Sequence, residues 1–83
     1  RYLGEWRNDL RHGKGTYFYV NGDVYEGQWQ INRKHGIGHL VLSSSNESYD
    51  GEWKEGLRHG KGEFKFSTGD VYSGGWEYGK RTG

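Results

Sequence analysis

Tyr49-Asp50-Gly51-Glu52-Trp53-Lys54-Glu55-Gly56-Leu57-Arg58-His59-Gly60-Lys61-Gly62 decides how this chain is built, because the pattern recurs along it. Tyr2-x-Gly4-x-Trp6 runs on to His12-Gly13-x-Gly15, and Tyr25-x-Gly27-x-Trp29 runs on to His35-Gly36-x-Gly38. Tyr72-x-Gly74-x-Trp76 opens a fourth copy that reaches Gly79. The repeat tyrosines stand 23, 24 and 23 residues apart. A fixed period of this size marks an array of one supersecondary unit, each copy packing on its neighbours. The units fall at 2–24, 25–48, 49–71 and, as a half unit, 72–83. A chain without Met that starts at one unit and stops inside another reads as a piece of a longer array.

Within a unit the period is two. Tyr25, Gly27 and Trp29 share one face of a strand, with Glu26 and Gln28 on the other. A second strand, taken to begin at the Gly-x-Gly, puts Tyr17 and Tyr19 on one face in the first unit, Leu40 and Leu42 in the second, and Phe64 and Phe66 in the third. Its opposite face in the third unit is Glu63, Lys65 and Ser67. One apolar and one wet face describe an antiparallel sheet of hairpins. Asn21-Gly22 and Thr68-Gly69 supply turns between units, Asn-Gly being a strong hairpin signal. Ser43 to Ser48 replaces that turn after the second unit with one extra residue, which predicts a looser loop. Seven residues after each repeat Tyr stand Asp9, Asn32, Gly56 and Gly79, all types that tolerate a left-handed backbone. Gly4, Gly27, Gly51 and Gly74 lie between a Tyr and a Trp on the apolar face, where an aromatic ring covers the space that a side chain would fill. The fold class is all-β: one elongated, twisted antiparallel meander of about seven strands.

Composition excludes several classes of function. The chain has 83 residues, 30% hydrophobic, with 16 Gly, no Pro and no Cys. No disulfide framework or thiolate metal site is available, and no apolar run approaches the ~20 residues of a membrane helix. The expected location is the cytoplasm. The formal charge of +1 gives no bulk attraction to nucleic acid, so no nucleic-acid partner is expected. No Ser, His and carboxylate stand at a catalytic spacing, and Gly13-Lys14-Gly15 opens a strand rather than a phosphate-binding helix. The chain therefore reads as a non-enzyme with no cofactor. His12, His35 and His59 recur once per unit, ~10 Å apart, too far to share a metal; they read as turn-stabilising residues and no metal site is expected.

Two surfaces are candidates for binding. The aromatic face carries Tyr2, Trp6, Tyr17, Tyr19, Tyr25, Trp29, Leu40, Leu42, Tyr49, Trp53, Phe64, Phe66, Tyr72 and Trp76. No helix or second sheet exists in the sequence to cover it, and exposed aromatic patches mark interaction sites. It is expected to take a helix or an extended segment of a protein partner. The second surface is basic. Arg11, Lys14, Arg33, Lys34, Arg58, Lys61, Lys80 and Arg81 are expected at the turns along one long edge, apart from the aromatic face, as a stripe for an anionic lipid. Self-association through sheet edges is a third reading.

The recurring Tyr-x-Gly-x-Trp-x-x-Gly-x-x-His-Gly-x-Gly resembles the MORN repeat family over essentially the whole chain. Asp9 and Asn32 depart from the family's Gly, as does the loop at Ser43 to Ser48. The resemblance implies a long sheet of stacked hairpins and a scaffold or attachment role in cytoskeletal, ciliary or membrane-junction assemblies. Phospholipid binding is a further implication of the resemblance, as is association of the cytoplasmic chain with cytoskeleton, cilium or membrane.

Overall fold

The computed structural model describes residues 1–82. They form eight strands: β1 (Tyr2–Arg7), β2 (Leu10–Phe18), β3 (Val24–Gln30), β4 (Arg33–Leu42), β5 (Glu47–Lys54), β6 (Leu57–Lys65), β7 (Val71–Glu77) and β8 (Lys80–Arg81). The strands lie in chain order in one open antiparallel sheet measuring 39 × 25 × 14 Å. The described residues contain no helix. The expected meander is present, with one short strand more than the seven expected.

Two-residue turns close the hairpins at Asn8-Asp9, Ile31-Asn32, Glu55-Gly56 and Tyr78-Gly79. Every one of these residues has positive φ, between 49° and 84°. Positive φ at both positions is the type I′ requirement, and its twist matches that of the flanking strands. The sequence marked the second position of each turn. It did not mark the first, where Ile31 holds φ 49° with a β-branched side chain against its own preference. On the other long edge, Gly22 (φ 96°) and Gly69 (φ 97°) close the two three-residue loops, and Asn46 (φ 58°) takes that role in the loop beyond the pair Leu42↔Glu47.

The second strand of each hairpin starts earlier than expected. It begins at Leu10, Arg33 or Leu57, directly after the turn, and the His-Gly pair falls inside it as a bulge. Between the pairs Gly4↔Gly15 and Trp6↔Arg11, the single residue Glu5 opposes His12, Gly13 and Lys14. Gln28 and Glu52 do the same in the next two units. A bulge leaves backbone amides without a ladder partner. The Lys14 N–H therefore donates to Glu5 Oε2 (2.8 Å), that of Ile37 to Gln28 Oε1 (2.7 Å) and that of Lys61 to Glu52 Oε2 (3.4 Å). Gly13, Gly36 and Gly60 have φ of 69°, 71° and 68°, and a Cβ on any of them would strike this same side chain.

Gly4, Gly15, Gly27, Gly38, Gly51, Gly62 and Gly74 pair in succession across seven strands. A Cβ on Gly27 would collide with the Gly38 backbone, and one on Gly38 would enter the Tyr25 ring. The repeat tyrosines thus lie flat over the glycine row. Their hydroxyls donate to the carbonyl three residues on, Tyr25 to Gln28 (2.9 Å) and Tyr49 to Glu52 (2.9 Å).

The Trp of one unit packs on the unit before it. Trp29, Trp53 and Trp76 donate their indole N–H to the carbonyls of Gly15 (3.0 Å), Gly38 (3.2 Å) and Gly62 (3.2 Å). Each meets the Tyr of the preceding unit edge-on, Tyr25 to Trp53 at 5.4 Å and 88° and Tyr49 to Trp76 at 5.3 Å and 85°. Alternating Tyr–Trp contacts make one zigzag from Trp6 to Tyr72, each in the edge-to-face geometry that suits the ring quadrupole. The core is this single layer of rings. Tyr25 and Tyr49 are 0% exposed although no second layer of described residues covers the sheet.

Candidate functional site

The aromatic face divides by exposure. Tyr25, Trp29, Tyr49, Trp53, Phe64 and Trp76 are buried within the ring layer, while Tyr2, Tyr17, Tyr19, Leu40, Leu42, Phe66 and Tyr72 pack against it half-buried. Trp6 is 58% exposed. The surface open to a ligand is therefore a rim, Tyr17-Tyr19, Leu40-Leu42 and Phe66, beside a floor of buried rings. The sequence named all these residues as one face and had no means of separating rim from floor. Separating them requires knowing that each Trp is covered from the preceding unit.

The basic residues are not one edge stripe. Because the strand starts directly after the turn, they lie inside strands and alternate between faces. Arg11, Lys34, Arg58 and Arg81 lie over the aromatic rings. By strand alternation Lys14, Arg33, Lys61 and Lys80 lie on the opposite face. The expected separation of basic residues from the aromatic face is thus corrected for four of the eight. A sequence signal existed for the split: a cation stands at the ninth residue after every repeat Tyr, whereas the residue before it is Leu10, Arg33, Leu57 or Lys80.

Each of these cations is held in a similar way. The Arg11 guanidinium carbon is 4.8 Å from the Trp29 ring centroid and 5.0 Å from that of Tyr17. Lys34 Nζ is 5.4 Å from Trp53 and Arg58 4.5 Å from Trp76. Arg81 lies 5.6 Å from Tyr72 and 5.7 Å from Phe66. Such contacts contribute about 0.5–2 kcal/mol each, more as water is excluded. The arginines also tie one unit to the next turn. Arg11 donates to Asn32 Oδ1 (3.1 Å) and to the Asn32 carbonyl (3.2 Å), and Arg58 to the Gly79 carbonyl (3.1 Å). Lys34, with a single donor group, reaches Tyr19 Oη instead (2.7 Å).

Among the described residues no carboxylate stands within 4.0 Å of these cations. The one contact of a basic side chain with a carboxylate within 4.0 Å among the described residues is His39 with Asp50, on the opposite face. His39 pairs there with Glu26 and Asp50, and Asp50 with Glu63. Asp23 and Glu47 accept loop amides from Ser43 (2.9 Å) and Ser67 (3.3 Å) at the far edge. The sheet thus sorts its charges, with cations over the rings and most carboxylates behind or at the margin. Burial lowers the Arg58 pKa, with the Tyr49 phenol opposing the shift. Burial pushes the Tyr49 phenol up to about 12 and raises that of Tyr25 further, so both stay neutral beneath the cations.

The recurring histidines sit at the turn edge. The His59 ring lies 6.3 Å from that of Tyr78, the first turn residue of the next unit, and His12 and His35 line grooves with Ile31 and Glu55. The described residues include no group of His and carboxylates arranged to hold a metal. Openings of similar size stand at the two ends of the array, one of about 400 Å³ bounded by Arg58, Phe64, Phe66, Trp76 and Arg81, and one of about 410 Å³ bounded by Tyr2, Trp6, Asp9, Arg11 and Tyr17.

Comparison with known proteins bears on the same repeats. The MORN repeat family profile matches residues 2–24, 25–47, 49–71 and 72–83. MORN repeat-containing protein 3 of Xenopus laevis is 46% identical over 46 residues, covering 54% of this chain and 19% of that protein. Human alsin is 42% identical over 50 residues, covering 57% of this chain and 3% of alsin. A probable serine/threonine-protein kinase of Dictyostelium discoideum is 43% identical over 35 residues, 42% of this chain and 2% of the kinase. The chain thus matches less than a fifth of the length of any of the three.

Proposed function

Because this chain belongs to the MORN repeat family, we propose that it is a non-enzymatic scaffold whose trough holds a segment of a partner protein. MORN repeats are generally modules for protein or membrane interaction. The observation that carries the protein reading is the rim. Tyr17, Tyr19, Leu40, Leu42 and Phe66 are packed on the core yet left half-buried, with no layer of described residues over them. A segment lying along the array meets one such set every ~10 Å, the width of two paired strands. Tyrosine and other aromatic side chains are rich contributors to interface energy.

The anionic-lipid reading through a turn edge draws less support, because four of its eight cations lie over the rings. Lys14, Arg33, Lys61 and Lys80 are what remains for a membrane. No helix among the described residues is long and apolar enough to cross one. The proposed setting is a cytoplasmic assembly, cytoskeletal, ciliary or at a membrane junction.

The test is a selection of random 28-residue peptides on the chain, followed by Leu42→Ala and Phe66→Ala. Each variant is expected to melt normally and to lose at least ~2 kcal/mol of affinity for a selected peptide. If every variant that loses affinity also unfolds, the rim is internal packing and the scaffold surface lies elsewhere.

A further inference from the structure

We infer that the trough is built for an acidic amphipathic helix bearing a carboxylate once per heptad, each carboxylate meeting one of Arg11, Lys34, Arg58 and Arg81. This rests on the trough being the binding surface and adds the chemistry and conformation of the occupant.

Charge points to the anion. Arg11, Lys34 and Arg58 are half-buried, and Arg81 is exposed at the last hairpin. All four lie on rings, and none makes an ion pair with another described residue. A ring quadrupole attracts a cation without neutralising it. Each arginine keeps N–H groups beyond those bonded to the next turn. Arg11 uses Nε and Nη2 on Asn32, and Arg58 uses Nη2 on Gly79. Those free donors are forked and planar, a shape that suits a carboxylate. Most acids of the chain lie on the back face, in the bulges or at the loop edge, with Asp9 and Glu55 in the hairpin turns, so charge over the middle of the ring layer is mainly positive.

Spacing points to the helix. The cations recur once per hairpin, a step of roughly 9.5 Å from two strand spacings. Seven residues of α-helix rise about 10.5 Å and return within ~20° to the same face. Three residues of β-strand cover a similar length but end on the opposite face. The rim supplies the rest. Tyr17, Tyr19 and Phe66 lie beneath Arg11, Lys34 and Arg81 themselves. On a helix, side chains three or four residues apart are ~5–6 Å neighbours, so an acid on the cation sets an apolar side chain beside it on the rim.

The peptide selection tests this directly. Enriched peptides are expected to carry Asp or Glu every seven residues, with apolar residues three or four positions away, and to bind less tightly as salt rises. Changing Arg11→Gln and Arg58→Gln together is expected to weaken a selected peptide at least about tenfold. Arg11→Lys with Arg58→Lys keeps the charge and removes the forked bonds to the next turn, so it separates ligand contact from stitching. It is expected to fall between the parent and the Gln pair, because the charge stays while the forked contact to the carboxylate is lost. If the Gln pair melts early, the acid spacing of the peptides and their salt dependence decide. Peptides without acids, or with acids every third residue in a Pro-rich segment, overturn this inference and leave the trough as a binding surface. No enriched peptide at all, with vesicles containing phosphatidylserine bound instead, overturns both readings.

Discussion

Trp6 and Trp53 hold the same place in their units and differ in everything that fixes their energy. Trp53 is 6% exposed and Trp6 58%. Both touch the Tyr of their own unit, at 5.0 Å in each case. Trp53 in addition has the Tyr25 edge, the Gly38 carbonyl and the Lys34 ammonium, all from the preceding unit. Within these 83 residues no hairpin stands before Trp6. The indole is therefore buried by its neighbour and not by its own hairpin. Stability in such an array is a sum of junctions more than of units.

The largest break of this comparison is at the indole. Trp53→Ala is expected to cost about 3–5 kcal/mol and Trp6→Ala under about 1 kcal/mol, read as shifts of the urea midpoint. Equal losses at the two positions would show that the hairpin itself supplies the burial. Next comes the glycine row. Gly38→Ala drives a methyl into the buried Tyr25 ring, while Gly15→Ala meets Tyr2, whose half-buried ring has room to turn aside. Expected losses are about 3 and about 1 kcal/mol.

Alkaline pH probes the same junctions through the phenols. Burial raises the Tyr49 pKa to about 12. Its neutral form is favoured in the fold, so the stability it contributes is complete below pH ~10 and is lost as pH rises from there through about 12. Each such phenol gives a slope of roughly 1.4 kcal/mol per pH unit in that window. Absorbance at 295 nm, compared with Tyr49→Phe, is expected to show the Tyr49 phenol still neutral at the ordinary phenol pKa. Ionisation there without loss of stability would place the ring outside the junction. The smallest effect is expected at the turns. Ile31→Asn relieves a β-branched residue at φ 49° and is expected to add about 0.5–1 kcal/mol, while Asn8→Ile at the equivalent turn is expected to subtract a similar amount.

Much of this was legible in the sequence because the unit repeats. The Tyr spacing yielded the meander, and Asp9, Asn32, Gly56 and Gly79 marked the turns. The bulge was not legible, because Gly-x-Gly looks like a strand start when its role as a strand interior depends on a side chain across the hairpin. Once Glu5, Gln28 and Glu52 are seen to hold the bulge amides, strand alternation turns Arg11, Lys34 and Arg58 onto the rings. A misplaced strand start of a few residues was enough to move these three cations from an edge to the ring face. The exposure of each ring was illegible for a different reason: it is a property of two units together.

The seven glycines in line also give the sheet a crease. Ladder hydrogen bonds in an antiparallel sheet run across the strands, here parallel to that line. Folding the sheet about the line rotates backbone torsions at residues with no side chain to obstruct them and breaks no ladder bond. The tyrosine rings lying over the row are the main resistance. The array is consequently stiff along its length and compliant across its width, so that the trough can widen or narrow like a book on its spine while the step between cations stays fixed.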